Sequence, residues 1–189
     1  MKTIAPVLAT MALAAAAFAA PPKKLSAVEL KQIVDARRAA LPPVDQTKVA
    51  RCQPMLDAYN KDPEHGDDQV VDAARCFADA GAIGAAITSW QIVVKYMPSK
   101  PAAKDGMRAL GELYERAAAD YSRAAEWDEN YWSHDPSEPD AKQRLARAAC
   151  MRFQLGDAER ATKDVKLLHA DANTLCDSIH PIEMPKSPP

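Results

Sequence analysis

The sequence lacks a strong excess of charge of either sign, since 24 basic and 26 acidic side chains give a formal net charge of −2. This near-neutral balance argues against nucleic acid as a partner, because a nucleic-acid-binding protein needs a basic face. Runs of β-branched residues are few, and the composition is rich in alanine and in charges of both signs. Such a composition is typical of helices, so we expect an all-α protein.

The sequence also lacks the short motifs of common enzyme classes. It contains no G-x-S-x-G nucleophile elbow, no glycine-rich phosphate loop and no H-E-x-x-H zinc motif. His134 and Asp135 are adjacent, but they lie in a proline-bounded segment that is typical of a turn. The acidic segment 62–68 lacks the alternating oxygen ligands of a calcium-binding loop. We therefore predict a protein that is not an enzyme and that holds no cofactor and no metal.

Residues 1–19 are predicted to form a secretory signal peptide. Lys2 provides a short basic region, residues 4–18 are apolar and rich in alanine, and residues 17–19 form an A-x-A cleavage signal. The apolar run is shorter than the ~20 residues that span a bilayer, which disfavours a membrane anchor. We expect an exported protein, periplasmic or associated with the outer envelope, with no membrane span after cleavage.

The four cysteines contain no C-x-x-C pair, and the four histidines show no ligand spacing, so a zinc site is disfavoured. An even number of cysteines in an exported chain indicates disulfides, and four cysteines allow three pairings. We favour Cys52–Cys76, which lie in neighbouring predicted helices, and Cys150–Cys176, which lie in segments that a short hairpin brings back together. The alternative is that Cys150, which has arginines nearby in the sequence, is a reactive thiol.

Residues 23–62 are predicted to form two helical segments. Ser26 begins an S-x-x-E capping box, which marks a helix start, and Pro42 ends this first helix. The second segment runs from about residue 45 to residue 60, and Pro54 predicts a kink or a fresh start within it. This region is either a helical extension or a divergent repeat.

Residues 67–179 carry apolar stripes at helical spacing and a recurring set of small and aromatic residues. The first set is Ala74, Phe77, Gly81, Ala86, Trp90 and Pro98. The second set is Gly111, Tyr114, Ala119, Ala124 and Pro136, and the third is Ala149, Gly156, Ala161, Val165 and Leu168. The second set contains one extra residue between Tyr114 and Ala124. Asp128 and Arg152 stand where aromatic residues are expected in the second and third sets.

This pattern resembles the tetratricopeptide repeat (TPR) family, whose unit of 34 residues consists of two antiparallel helices. The resemblance covers about residues 67–170, although Ala86, Ala124 and Ala161 are 38 and 37 residues apart. Residues 110–127 are similar to repeats in envelope proteins of myxobacteria and related Gram-negative predators. The resemblance implies an antiparallel stack of helix hairpins, a TPR-like right-handed solenoid. The proline-rich residues 180–189 are predicted to be disordered.

The TPR resemblance implies a role in protein–protein interaction rather than chemistry. In that family the partner usually lies on the surface lined by the first helix of each unit. Here this surface would carry Arg75, Arg108, Glu112, Glu115, Arg144 and Arg147. Further candidate anchors for a partner are the aromatic residues Tyr121, Tyr131 and Trp132.

We therefore expect an exported, non-catalytic scaffold that binds proteins of the cell envelope and that can self-associate. Two alternatives stay open at this point. The chain would otherwise be an accessory subunit of an envelope enzyme or of a maturation machinery, or it would be a redox-active thiol protein.

Overall fold

The computed structural model describes residues 22–185, so the predicted signal peptide and residues 186–189 lie outside the described range. Within this range the chain forms α-helices and no β-strand. The helices are α1 (Ala27–Ala39), α2 (Gln46–Lys61), α3 (Asp67–Asp79), α4 (Ile83–Tyr96), α5 (Pro101–Leu113), α6 (Tyr121–His134), α7 (Ala141–Leu155), α8 (Ala158–Leu167) and α9 (Ala172–Asp177). A π-helical turn, Tyr114–Ala118, follows α5 directly.

Helices α2 to α8 form an antiparallel stack in which each helix packs against the next one along the chain. Short turns join them into three hairpins, α3–α4, α5–α6 and α7–α8. One continuous core runs through the stack, and its fully buried side chains include Val70, Val93, Leu110 and Met151. The predicted all-α stack of helix hairpins is therefore confirmed.

Helix α1 lies across the ends of the hairpins rather than against α2. The backbone N–H of Leu25 donates to the carbonyl of Gln154 at the end of α7, over 2.8 Å. Helix α1 itself contacts the π-helical turn after α5. Beyond α1, the N–H of Asp45 donates to the carbonyl of Ala80 at the end of α3, over 2.9 Å. Residues 24–45, which we name the edge strap, thus cross the turns of all three hairpins.

Helix α2 begins at the predicted place and is continuous through Pro54. The carboxylate of Asp45 caps it by accepting a hydrogen bond from the N–H of Lys48 over 3.0 Å. The predicted fresh start at Pro54 is wrong. Pro54 lies on the solvent-exposed face of α2, where water satisfies the carbonyl group that loses its helical partner.

The π-helical turn accommodates the extra residue that separates Tyr114 from Ala124. A single inserted residue widens one helical turn without shifting the helices on either side. The turn ends at Ala119, which adopts the left-handed conformation with φ of 52°. The other two hairpin turns place Gly81 and Gly156 in the same conformation, with φ of 73° and 86°. All three hairpins thus reverse through one left-handed residue.

The four cysteines form two disulfides, and the favoured pairing is confirmed. Cys52–Cys76 joins α2 to α3, and Cys150–Cys176 joins α7 to α9. Since all four cysteines lie in the described part of the chain, none remains as a free thiol. The alternative of a reactive thiol at Cys150 is therefore not what the structure shows.

The chain beyond α9 differs from the predicted disorder. Ile182 is only 2% exposed and belongs to the main core. The side chain of Gln154 donates to the carbonyl of Ile182 and accepts from its N–H, each over 3.1 Å. The prediction of disorder rested on the proline content of this segment and took no account of the apolar side chain of Ile182. Because burial of this side chain fixes the backbone around it, the prediction of disorder is wrong at Pro181 and Ile182.

The two end helices of the stack expose mainly polar side chains. The outer face of α2 exposes Arg51 and Asp57, and that of α8 exposes Glu159 and Lys163. Each of these helices also exposes one large apolar side chain, Met55 on α2 and Leu167 on α8. Among residues 22–185, no helix combines the length and the apolar character that crossing a membrane requires.

Candidate partner-binding groove

The residues of the recurring sets lie mainly in the core. Ala74, Phe77, Ala86, Trp90, Gly111, Tyr114, Ala124 and Ala161 are buried, whereas Pro98 is exposed. Gly81 and Gly156 form the hairpin turns described above. Small residues at these places let neighbouring helices approach closely, and the aromatic side chains fill the adjoining space.

The predicted partner-binding residues are brought together on one surface, which α3, α5 and α7 line. Three ion pairs join α5 and the π-helical turn after it to α7 and its N-cap residue, and the partners of each pair are 32 residues apart. The pairs are Arg108–Asp140 (3.2 Å), Glu112–Arg144 (2.7 Å) and Glu115–Arg147. Arg75 of α3 pairs in the same way with Asp105 of α5 over 3.4 Å. All six predicted residues thus contact other residues of this chain.

These ion pairs differ in their exposure to solvent. The side chains of Arg75 and Glu112 remain about half exposed, whereas Glu115 is buried. Exposed pairs stabilise a fold by only ~0–1 kcal/mol, so an incoming partner can replace them at small cost. Arg116 lies beside them and forms no ion pair with any of the residues that the structure describes.

Four cavities follow this surface and share lining residues, so they form one groove. A cavity of about 450 Å³ beside Leu41 and Val44 shares Ala78 with a cavity of about 230 Å³ between α3 and α5. The second shares Arg116 with a cavity of about 170 Å³ between α5 and α7. The third shares Arg147 with a cavity of about 210 Å³.

The groove, which we name the α3–α5–α7 groove, changes character along its length. Its first part is lined by apolar residues such as Ile83 and Leu113. Its second part is lined by charged residues of α5 and α7. A segment of a protein partner with apolar residues at one end and polar residues at the other is complementary to this arrangement.

A buried polar cluster supports the charged part of the groove from below. Asp128 of α6 is 2% exposed, and its carboxylate accepts a hydrogen bond from Arg144 over 2.9 Å. Burial raises the pKa of Asp128 to about 7, against the opposing attraction of Arg144. The hydroxyl of Tyr131 accepts from Arg108 over 2.6 Å and donates to Asp140 over 2.8 Å. The cluster fixes the positions of Arg108 and of Arg144, the second of which lines the groove.

This cluster was not predicted from the sequence, although two residues at the α6–α7 interface depart from the repeat pattern. Asp128 and Arg152 occupy positions where the pattern has aromatic residues, and the structure gives each a partner on the facing helix. Asp128 pairs with Arg144, and Arg152 pairs with Glu129 over 2.7 Å. The α6–α7 interface thus replaces aromatic packing with two ion pairs.

Gly111→Ala should destabilise the protein by about 2 kcal/mol, because an added Cβ would lie 2.6 Å from Oδ1 of Asp128. Gly84→Ala is the matched control, since nothing lies within 4 Å of its added Cβ. Gly84 is exposed in α4, so its replacement should stabilise the protein by about 0.5–1 kcal/mol. Urea denaturation measures both changes, and equal effects at the two sites would contradict the proposed close approach at Gly111.

A second buried acid, Asp164 of α8, is 7% exposed, and its Oδ2 has no hydrogen-bond partner within the described residues. Burial, with repulsion from Glu129, raises its pKa to about 7. Its folded pKa lies above the unfolded value, so the contribution of Asp164 to stability is most favourable at low pH and falls between about pH 4 and 7.

Asp164→Asn should therefore stabilise the protein at pH 8 by about 1–2 kcal/mol and leave its stability near pH 4 almost unchanged. The measurement is the free energy of unfolding across pH 4–8. Glu159→Gln on the exposed face of the same helix serves as the control and should leave the pH profile unaltered. A gain that is equal at both ends of the pH range would argue against a raised pKa at Asp164.

Two of the three candidate aromatic anchors are buried. Tyr131 and Tyr121 are almost fully excluded from solvent, and Trp132 is half-buried. The prediction of exposed anchors is wrong for the two tyrosines, because both face the core of the stack. The groove offers apolar surface instead through small and aliphatic side chains.

The described residues contain no group of histidine, cysteine and acidic side chains that is arranged to hold a metal ion. Comparison of the chain with protein-family models, with curated proteins and with solved structures gave no match. The relation to the TPR family therefore stays a prediction that rests on the residue pattern.

Proposed function

We propose that the protein is an exported, non-catalytic TPR-like scaffold that binds a protein partner of the cell envelope in the α3–α5–α7 groove. The observation that carries this proposal is the continuity of the groove across three helices, from Leu41 to Arg147. Protein–protein interfaces combine apolar and polar surface, and the groove offers both, with apolar residues along its first part and charged residues along its second part. Arg116 at its middle supplies a positive charge for an acidic group of the partner.

Two features support export. Both disulfides are of the kind that persists in oxidising compartments outside the cytoplasm. The apolar residues 4–18 and the A-x-A signal that follows fit a cleaved leader. The proposed location is the periplasm or the outer envelope.

A site-specific crosslinking experiment tests the proposed surface. A photoreactive amino acid replaces Arg116 in the groove, and a matched variant carries it in place of Lys163 on the outer face of α8. After irradiation with an envelope extract of the native host, we expect discrete protein adducts at position 116 and none at position 163. Adducts that are absent at position 116, or equal at both positions, would overturn the proposal.

The identity of the captured protein also decides between a general scaffold and an accessory subunit. An enzyme of the cell wall or of a maturation machinery captured at position 116 would favour the accessory subunit. Both roles use the same groove, so the proposed binding surface of this protein is the same in either case.

A further inference from the structure

The largest cavity of the α3–α5–α7 groove has apolar walls that are exposed to solvent. Leu41 and Val44 line it, and they are 38% and 42% exposed. Other exposed large apolar side chains of the described residues, such as Val28 and Tyr96, line none of the four cavities of the groove. We name this space of about 450 Å³ the anchor cavity. Exposed apolar walls around a cavity are typical of a site that receives an apolar side chain of a partner.

The anchor cavity is held in shape by its backbone. Pro42 and Pro43 lie between the two apolar walls, and the ring of each proline fixes its φ angle. The N–H of Asp45 donates to the carbonyl of Ala80 over 2.9 Å, which attaches this loop to the end of α3. A cavity with fixed walls binds a side chain without first ordering a loop, so the entropic cost of binding is low.

A second apolar cavity adjoins the first. The space of about 230 Å³ between α3 and α5 is lined by Trp90 and Leu113, and it shares Ala78 with the anchor cavity. We name it the Trp90 cavity. Because the two cavities have a lining residue in common, two side chains of one partner segment can enter them together.

The charged side chains that line these two cavities are not balanced evenly. Arg38 and Asp79 line the anchor cavity together, so their opposite charges compensate each other there. The Trp90 cavity is lined by Glu112 and Arg116. Glu112 already pairs with Arg144 over 2.7 Å, whereas Arg116 has no ion pair with a described residue. An acidic group of a partner beside the Trp90 cavity is therefore complementary to Arg116.

We propose that the α3–α5–α7 groove recognises a linear segment of its protein partner that carries two bulky apolar side chains and an acidic residue beside the second of them. The first apolar side chain enters the anchor cavity and the second enters the Trp90 cavity, while the carboxylate pairs with Arg116. This inference rests on the proposed function and specifies the chemistry of the partner.

The apolar side chains and the carboxylate have different roles. Bulky side chains that fill preformed cavities provide most of the affinity of an interface. An exposed ion pair adds little affinity, but a like charge at the same place is repelled, so Arg116 selects among segments. The preference for an acidic over a basic residue is therefore the sharpest property to test.

Selection of random linear peptides displayed on phage, against the purified protein with both disulfides intact, tests this preference. We expect enriched peptides to carry two bulky apolar residues and an aspartate or glutamate beside one of them. Arg116→Glu should replace this acidic residue by lysine or arginine and keep the apolar pair. Arg51→Glu on the outer face of α2 is the matched control and should leave the selected sequences unchanged.

Three results of the selection would overturn the inference. They are enriched peptides that lack the apolar pair, a charge preference that Arg116→Glu leaves unaltered, and a failure to enrich any peptide.

The affinity of a selected peptide, measured by fluorescence anisotropy, tests the anchor cavity separately. Val44→Asp should weaken binding at least about tenfold, because it places a charge in an apolar wall. Val28→Asp, at a position of α1 that is 67% exposed and outside the groove, should weaken it less than about twofold. Circular dichroism verifies that both variants are folded, and equal effects on binding would contradict the assignment of the anchor cavity.

The two experiments separate this inference from the proposed function. Envelope adducts at position 116 together with no peptide of the expected kind would retain the scaffold and overturn the inference. Peptides of the expected kind together with no adduct at position 116 would support the recognised chemistry and count against a partner in the envelope.

Discussion

Arg144→Met should destabilise the protein by about 3–5 kcal/mol at pH 8, the largest effect that we expect of a single substitution. Arg144 donates to Asp128 over 2.9 Å, to Glu112 over 2.7 Å and to Asp140 over 3.0 Å. Methionine keeps most of the volume but leaves Asp128 buried without its partner. An unpaired buried charge is more costly than the pair that it replaces.

The loss of stability caused by Arg144→Met should be smaller at low pH than at high pH. The pKa of Asp128 is already raised to about 7 by burial, and removal of the nearby cation raises it further. Protonation below this pKa removes the buried charge, so the loss of stability at pH 5 should be smaller than at pH 8. Urea denaturation at the two pH values measures it, and an equal loss at both would contradict the assignment.

Two further variants separate the buried pair from a general effect of lost charge. Adding Asp128→Leu to Arg144→Met removes both charges and should recover at least half of the lost stability. Arg75→Met removes an exposed arginine that pairs with Asp105, and it should change stability by less than about 1 kcal/mol.

Removal of the Cys52–Cys76 disulfide by paired serine substitutions should destabilise the protein by about 3 kcal/mol. The two cysteines are 24 residues apart, and opening this loop increases the conformational entropy of the unfolded chain. The native state gains little freedom, because α2 and α3 stay packed through Phe77 and its neighbours.

Removal of Cys150–Cys176 should be less costly, although its sequence separation of 26 is nearly the same. Helix α9, whose buried side chain is that of Cys176, then gains freedom in the folded state too, so the folded protein regains part of the entropy. We expect a loss of about 1–2 kcal/mol by urea denaturation. A loss as large as that for Cys52–Cys76 would indicate that α9 stays in place without its disulfide.

The features that the sequence predicts well are those with local causes. The capping box at Ser26 is present, with the Ser26 hydroxyl accepting from the N–H of Glu29 and the Glu29 carboxylate accepting from the N–H of Ser26. The Cys52–Cys76 disulfide joins helices that are adjacent along the chain, and the Cys150–Cys176 disulfide joins α7 to α9, which the α7–α8 hairpin brings back beside α7. Arg108 and Glu112 share one surface with Arg144 and Arg147 because their spacing places them on successive turns of α5 and α7. Their role in binding a partner stays a prediction.

The features that escaped prediction depend on contacts between distant parts of the chain. The course of α1 is set by its contact with Gln154, far along the sequence, and nothing in the α1 sequence specifies that partner. The burial of Ile182 has the same origin. Asp128 and Arg152 were visible as unusual residues, but which helix would face each of them depends on the packing of the stack.

The length of the edge strap is matched to the number of hairpins that it crosses. Its helix, α1, has 13 residues and is therefore about 20 Å long at 1.5 Å per residue. One more hairpin would widen the stack by about a helix diameter, ~10 Å, and the strap would need roughly seven further residues to reach Gln154. Duplication of a hairpin alone would break the contact at one end. The number of hairpins and the length of α1 can therefore change only together, unlike the free extension of an open repeat array.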